Sequence, residues 1–317
     1  MTVIQSFEHL PKRIAEQKHN SIGTYALGAV FKLLVREREA TRADRGLVSD
    51  QPKVIPRRSD AGDHVFIFSM GLMQDPQRFS ERVGPHMDQF GPSYYIKRTN
   101  NDEVNKAARL KIVNQERGRH VIVFGNSKGG KDEVREMTDP EYMSEHGQID
   151  LLTLHSSPLD RSHIRRGGRV ALHGGLLLPE THSVAVEFAK KQQEKAREHG
   201  ERFVRALSVA SFYEARAELP ILLSDLPMDG SIAAGLSPEN VKKITMVSSP
   251  FDRLVNMEAS HRWLVEQTGR TDIDFEIDTT LENGSHAGFT DSPTSQIKRF
   301  ESHIAHNSMQ TKDLELV

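Results

Sequence analysis

From about Asp63 onward, hydrophobic positions fall into short β-rich runs separated by longer amphipathic stretches. Val65–Phe68 is the first clear strand, a polar helix-compatible segment from Pro76 to Gln89 follows, and Ser93–Ile96 makes a second strand. Between Asp102 and Arg117, Val104, Ala107, Ala108, Leu110, Ile112 and Val113 recur near helical spacing among charges, which predicts a helix. The apolar run Val121–Phe124 leads into a glycine-rich turn and a helix-compatible stretch, Lys131–Met137; Ile149–Leu154 forms a fourth strand. This alternation predicts βαβ units, an α/β protein with a mostly parallel central sheet and helices on both faces.

Near Pro158 the alternation stops. Residues 160–239 contain glycine-rich turns, a highly charged helix-like stretch from Val184 to Leu207, and then Pro220, Pro227, Gly230, Gly235 and Pro238. This region is expected to be an inserted, largely helical cap. The pattern resumes with the strand Ile244–Val247, a helix from Met257 to Gln267, the strand Ile273–Ile277 and a last helix near Ser295–His303. Residues 1–60 are weakly patterned and are expected to be an N-terminal extension. Its apolar stretch Tyr25–Val35, interrupted by Lys32, reads as a docked helix, with a peripheral membrane anchor as the other reading. The core is thus expected over 61–159 and 240–317.

Composition narrows the classes. A chain of 317 residues can bury a full core, and 37% hydrophobic residues with a mean hydropathy of −0.53 indicate a well-charged surface. A formal net charge of −2 gives no reason to expect nucleic acid or an anionic membrane as partner. Without cysteine, disulfides, thiolate catalysis and Cys-based metal sites are excluded. Glu8, Lys12 and Arg13, with no apolar run around them, argue against a secretory signal, and no stretch is long enough to span a bilayer. A cytoplasmic location is the expectation; nothing sets an oligomeric state.

The candidate chemistry lies in Gly125-Asn126-Ser127-Lys128-Gly129-Gly130, directly after the strand that ends at Phe124. Strand, sharp turn and helix is the context in which one serine hydroxyl is lifted above the sheet edge as a nucleophile. The same residues nearly spell a phosphate-binding loop, Gly125-x-x-x-x-Gly130-Lys131. That loop needs Ser or Thr after the lysine to hold Mg²⁺, and Asp132 stands there instead. A serine nucleophile needs an imidazole to take its proton and a carboxylate to hold that imidazole in the right tautomer. Asp252, in Ser248-Ser249-Pro250-Phe251-Asp252, follows one late strand, and His286, in Asn283-Gly284-Ser285-His286-Ala287-Gly288, follows the next. Both would fall on loops at the same sheet edge as Ser127.

Asp160, in Ser156-Ser157-Pro158-Leu159-Asp160, is the alternative acid, and Asp252 is preferred because it precedes a helix start after the strand that more usually carries the acid. His155 and His261 are weaker bases, neither lying in a glycine-flanked loop after the last strand. An oxyanion would need donors: the Lys128 backbone N–H at the helix start, and one from Met70 or Gly71 in the loop Ser69-Met70-Gly71-Leu72. The Lys128 side chain is expected to pair with an acid such as Asp132 or Glu133, contact with an acidic substrate being the other reading.

On Gly125-Asn126-Ser127-Lys128-Gly129, the Asp252 loop and the His286 loop, the chain resembles the α/β-hydrolase superfamily over about Asp63–Ala305, with 160–239 corresponding to its variable cap. The resemblance implies a triad of Ser127, Asp252 and His286, and an acyl-enzyme mechanism with no metal and no organic cofactor. Two departures stand out: no His-Gly pair in the oxyanion loop, and a lysine beside the nucleophile. A small-molecule carboxylic ester or thioester is the expected substrate. A non-catalytic binding or scaffold protein of the same fold is the alternative.

Overall fold

The computed structural model describes residues 51–71, 74, 76–99, 101–165, 230–248, 252, 254–278 and 297–305. Among these residues seven strands form one sheet: β1 (Lys53–Arg57), β2 (His64–Ser69), β3 (Ser93–Lys97), β4 (His120–Asn126), β5 (Ile149–His155), β6 (Val241–Ser248) and β7 (Ile273–Ile277). Their order is β1-β3-β2-β4-β5-β6-β7, with β1 antiparallel to β3 and every other pair parallel. The helices are α1 (Pro76–Met87), α2 (Asp102–Gln115), α3 (Lys128–Met137), α4 (Pro140–His146), α5 (Gly230–Gly235), α6 (Met257–Thr268) and α7 at 297–305.

Strands β2 to β5 read as continuous apolar runs because both of their faces are covered. Along β2, Val65 and Ile67 join one core cluster while Phe66 and Phe68 join the other, the alternation a pleated strand imposes. The first cluster takes in Ile112 of α2, Val134 and Met137 of α3, Ile232 of α5, and Trp263 and Leu264 of α6. The second takes in Phe79, Val83 and Met87 of α1 with Ile297 and Phe300 of α7. Its centre is aromatic: Phe68 stacks on Tyr95 at 4.9 Å between ring centroids and meets Phe79, Phe124 and Phe300 at 5.7–6.1 Å. Side chains set the helix ends, since Asn101 caps α2 by accepting from Val104 N, and Asn256 caps α6 by accepting from Ala259 N.

Three boundaries differ from the expectation. Residues 53–57, assigned above to the N-terminal extension, form the edge strand β1. Pro56 and the flanking charges hid it, and an edge position tolerates both. Residues 160–165 and 230–239, assigned above to the cap, pack with the core: Ile164 bridges Val255, and α5 buries Ile232 beside Leu236. The rest of the expected cap, 166–229, lies outside the described residues, as do 1–50 with the Tyr25–Val35 stretch. Helices α4 and α5, of seven and six residues, are too short to show a period in sequence. No helix among the described residues is long and apolar enough to cross a membrane.

Because Phe68 has no exposed surface and packs against the rings of Phe66, Phe79, Tyr95, Phe124 and Phe300, Phe68→Ala should destabilise the fold by about 3–5 kcal/mol, read as a lowered denaturant midpoint with unchanged m-value.

Candidate active site

β4 ends at Asn126 and α3 starts at Lys128, so the whole change of direction falls on Ser127, with φ 52° and ψ −124°. Such backbone costs a non-glycine residue about 1–3 kcal/mol and persists only where its surroundings over-determine it. The surroundings here do so. Ser127 N donates to His155 O at 2.9 Å, and Ser127 O accepts from Gly130 N at 3.1 Å. A Cβ on Gly125 would lie 2.4 Å from Gly130 Cα, one on Gly129 2.3 Å from Ser69 O, and one on Gly130 2.0 Å from Ser157 Oγ. These glycines therefore let α3 press against β4, the end of β2 and the segment after β5. Lys131, which a phosphate loop would present to its ligand, is 1% exposed, and burial pushes its pKa down to about 8.

Lys-Gly-Gly-Lys-Asp-Glu-Val-Arg-Glu-Met reads as a solvated helix, yet every residue of α3 except Arg135 is buried. Its charges are met inside the protein. Glu133, with no exposed side-chain surface, pairs with Arg98 at 2.6 Å and with Arg109, and accepts from Ser69 Oγ. Arg98 also pairs with Glu136. Lys128 pairs with Asp132 one turn away, one of the two acids expected for it. Burial alone would raise the Asp132 pKa, but Lys128, Arg98 and Arg135 outweigh it and hold the carboxyl below its ordinary value. Arg109 donates Nε–H to His146 Nε2 at 3.1 Å, while His146 Nδ1 lies 3.1 Å from Gly147 O, which places the ring proton on Nδ1.

The loop after β2 does reach Ser127: a Cβ on Gly71 would lie 2.8 Å from Ser127 Cβ. Its amides are committed elsewhere, which corrects the expected oxyanion donors. Met70 N donates to Ile96 O at 2.9 Å as part of the sheet, and Gly71 N donates to Gln74 Oε1 at 2.7 Å. Lys128 is the first residue of α3, where a helix leaves its amides without intrahelical partners.

Asp252 lies past the end of β6, two strands from β4, at the same carboxyl edge as Ser127. It is 4% exposed, and its Oδ1 accepts from Leu254 N at 2.8 Å and Val255 N at 3.0 Å. Asp160 is engaged differently. It caps the 3₁₀ turn Arg161–His163, accepting from Ser162 N at 2.7 Å, while its own N–H donates to His163 Nδ1. Burial would raise the Asp160 pKa, but the Ser162 hydrogen bonds lower it overall. His286 lies outside the described residues. His155 is fully buried with Nδ1 3.0 Å from Asn126 Oδ1, and His261 on α6 has Nε2 3.1 Å from Ile273 O. Among the described residues no group of three or more His, Asp or Glu side chains is placed to hold a metal. Sequence reading passed over Arg98, Arg109, Lys97 and Gln74 and named Glu133 only as a partner for Lys128; the only local signal was the i, i+4 spacing of Lys128 and Asp132.

No family model and no curated protein matches the chain. Solved structures do. An esterase from Exiguobacterium antarcticum is 14% identical at a TM-score of 0.56, over 80% of this chain and 95% of its own. The esterase RhEst1 from Rhodococcus sp. ECU1013 is 14% identical at 0.54, over 81% and 96%. An α/β hydrolase enzyme from a Medee basin deep-sea metagenome library is 12% identical at 0.52, over 80% and 94%. The architecture of this chain is the α/β-hydrolase fold.

Two measurements check the charge network. Glu133→Gln leaves Arg98 and Arg109 without that carboxylate and should cost about 3–5 kcal/mol of stability in denaturant titration. Burial, with the Arg109 charge beside it, pushes His146 from 6.5 down to about 3. The unfolded chain then takes up a proton at His146 that the native protein refuses, so native stability falls as pH drops through that window. The stability advantage of wild type over His146→Gln should accordingly shrink between about pH 7 and about pH 4.

Proposed function

We propose that the protein is a serine hydrolase that cleaves a carboxylic ester or thioester. The observation that carries this reading is Ser127 itself: a strained, non-glycine residue at a parallel strand's carboxyl end, packed between three glycines and opening a helix. A fold spends such strain where one side chain must be presented in one direction. Asp252 on the same edge supports it, as does the likeness to solved esterases.

In this reading Ser127 Oγ attacks the acyl carbon while its proton passes to His286. The Lys128 N–H donates to the oxyanion that forms. His286 then returns the proton to the departing alcohol or thiol, and water, activated by the same imidazole, releases the acid from Ser127. Asp252 orients the imidazole. It is preferred to Asp160 because two backbone amides fix one of its oxygens while the group stays buried at the strand ends, whereas Asp160 caps a turn. The substrate class rests on the chemistry of the acyl-enzyme, which needs no cofactor.

A fluorophosphonate probe should label the wild-type protein, and Ser127→Ala should abolish labelling; a folded wild type that stays unlabelled would remove the enzyme reading. Asp252→Asn should lower ester turnover by about 10⁴-fold through the wrong imidazole tautomer, with Asp160→Asn close to wild type. The reverse ranking would move the acid to Asp160.

A further inference from the structure

The backbone that holds Asp252 is itself held by the segment after β5. The peptide joining Leu254 to Val255 donates its N–H to Asp252 Oδ1 at 3.0 Å, and its carbonyl accepts from Arg165 N at 2.8 Å. N–H and C=O point in opposite directions across a planar trans peptide, so this unit bridges the carboxylate on one side and residues 160–165 on the other. The next peptide is tied to the same segment at both ends. Val255 O accepts from Arg165 Nε at 3.2 Å, and Asn256 N donates to His163 O at 2.8 Å. Ile164 and Val255 are buried together at the antiparallel bridge between the two segments. Asp160 in turn shapes the segment that makes these ties. Its Oδ1 accepts from Ser162 N and Ser162 Oγ, its carbonyl accepts from His163 N, and its own N–H donates to His163 Nδ1. The same ring nitrogen lies 3.1 Å from Ser260 Oγ on α6, which fixes the turn against the core.

We infer that Asp160 and Arg165 are positioning residues for Asp252. Asp160 closes the turn that delivers His163, Ile164 and Arg165 to the backbone at 254–256, and that backbone fixes one oxygen of the acid. Hydrogen bonds in a chain polarise one another, so the bond from Arg165 N to Leu254 O strengthens Val255 N–H as a donor to the carboxylate. The guanidinium on Val255 O adds a charge-assisted tie one peptide further on. Neither residue touches a reacting atom; both act through the backbone. The two Ser-Ser-Pro-x-Asp segments thereby share one task, the first setting the turn that holds the second.

The inference rests on the serine-hydrolase reading with Asp252 as its acid, and the experiment separates the two. Asp160→Ala, Asp160→Asn and Arg165→Met are made in wild type and in Asp252→Asn. They are compared in kcat and KM for p-nitrophenyl butyrate, in the rate of fluorophosphonate labelling, and in thermal unfolding. In wild type, Asp160→Ala and Arg165→Met should each lower kcat and the labelling rate by about tenfold, with KM changed less than about threefold. Asp160→Asn should stay within about threefold of wild type, because an amide oxygen caps a turn as well as a carboxylate does. In Asp252→Asn the same changes should cost less than about twofold, since the group they position is already lost. If Asp160→Ala does not fold, Arg165→Met, whose side chain is exposed, is read on the same scale. Folded variants with wild-type rates, or equal losses in both backgrounds, would overturn the positioning role while Ser127 still labels. Asp160→Asn as damaging as Asp252→Asn would make Asp160 the acid and overturn it too. A wild type that neither labels nor turns over would overturn the hydrolase reading, and this role with it.

Discussion

The carboxylate of Glu133 lies out of water between Arg98 and Arg109, with the Ser69 hydroxyl as a third partner. Those partners belong to the end of β2, the segment after β3, and α2, so one charge on α3 joins four parts of the chain. A buried ion that loses a partner costs several kcal/mol, so this set is stable only when complete. The elbow depends on it. Ser127 keeps its unfavourable φ because α3 cannot slide: Gly129 is pressed on Ser69 O from one side, and Glu133 is anchored to Ser69 Oγ four residues later. Strain at the turn and charge beneath it are two ends of one device.

What could be read in the sequence follows from where each signal resides. Strands β2 to β6 were legible because burial makes them apolar, and the Ser127 turn was legible because close packing demands glycine at 125, 129 and 130. β1 was not, since Pro56, Lys53 and Arg57 look like loop residues until an edge position is known. The burial of α3 was hidden as well. Its acids look solvated, and their partners Arg98 and Arg109 stand 35 and 24 residues away. The oxyanion donors failed for a different reason: a backbone amide has no letter, and only coordinates show that Met70 and Gly71 have already used theirs.

The two candidate acids make the same point. Asp160 and Asp252 end nearly identical Ser-Ser-Pro-x-Asp segments, each after a parallel strand. Asp160 caps a 3₁₀ turn at the surface side, while Asp252 is buried with amides of its own loop folded onto one oxygen. The difference lies in the residues that follow. Arg161-Ser162-His163 can form a tight turn closed by the His163 ring, whereas Leu254 and Val255 continue into the core.

β1 has a consequence beyond completing the sheet. It is the antiparallel strand at one end of the sheet order, where an exposed strand would offer a row of unpaired donors and acceptors to any other chain. Pro56 has no N–H to offer in that row, and Lys53 puts a charged side chain at one end of the strand, while Arg57 at the other end pairs with Asp88. Among the described residues the sheet ends here, and a proline without an N–H beside a lysine makes its edge a poor template for a further strand.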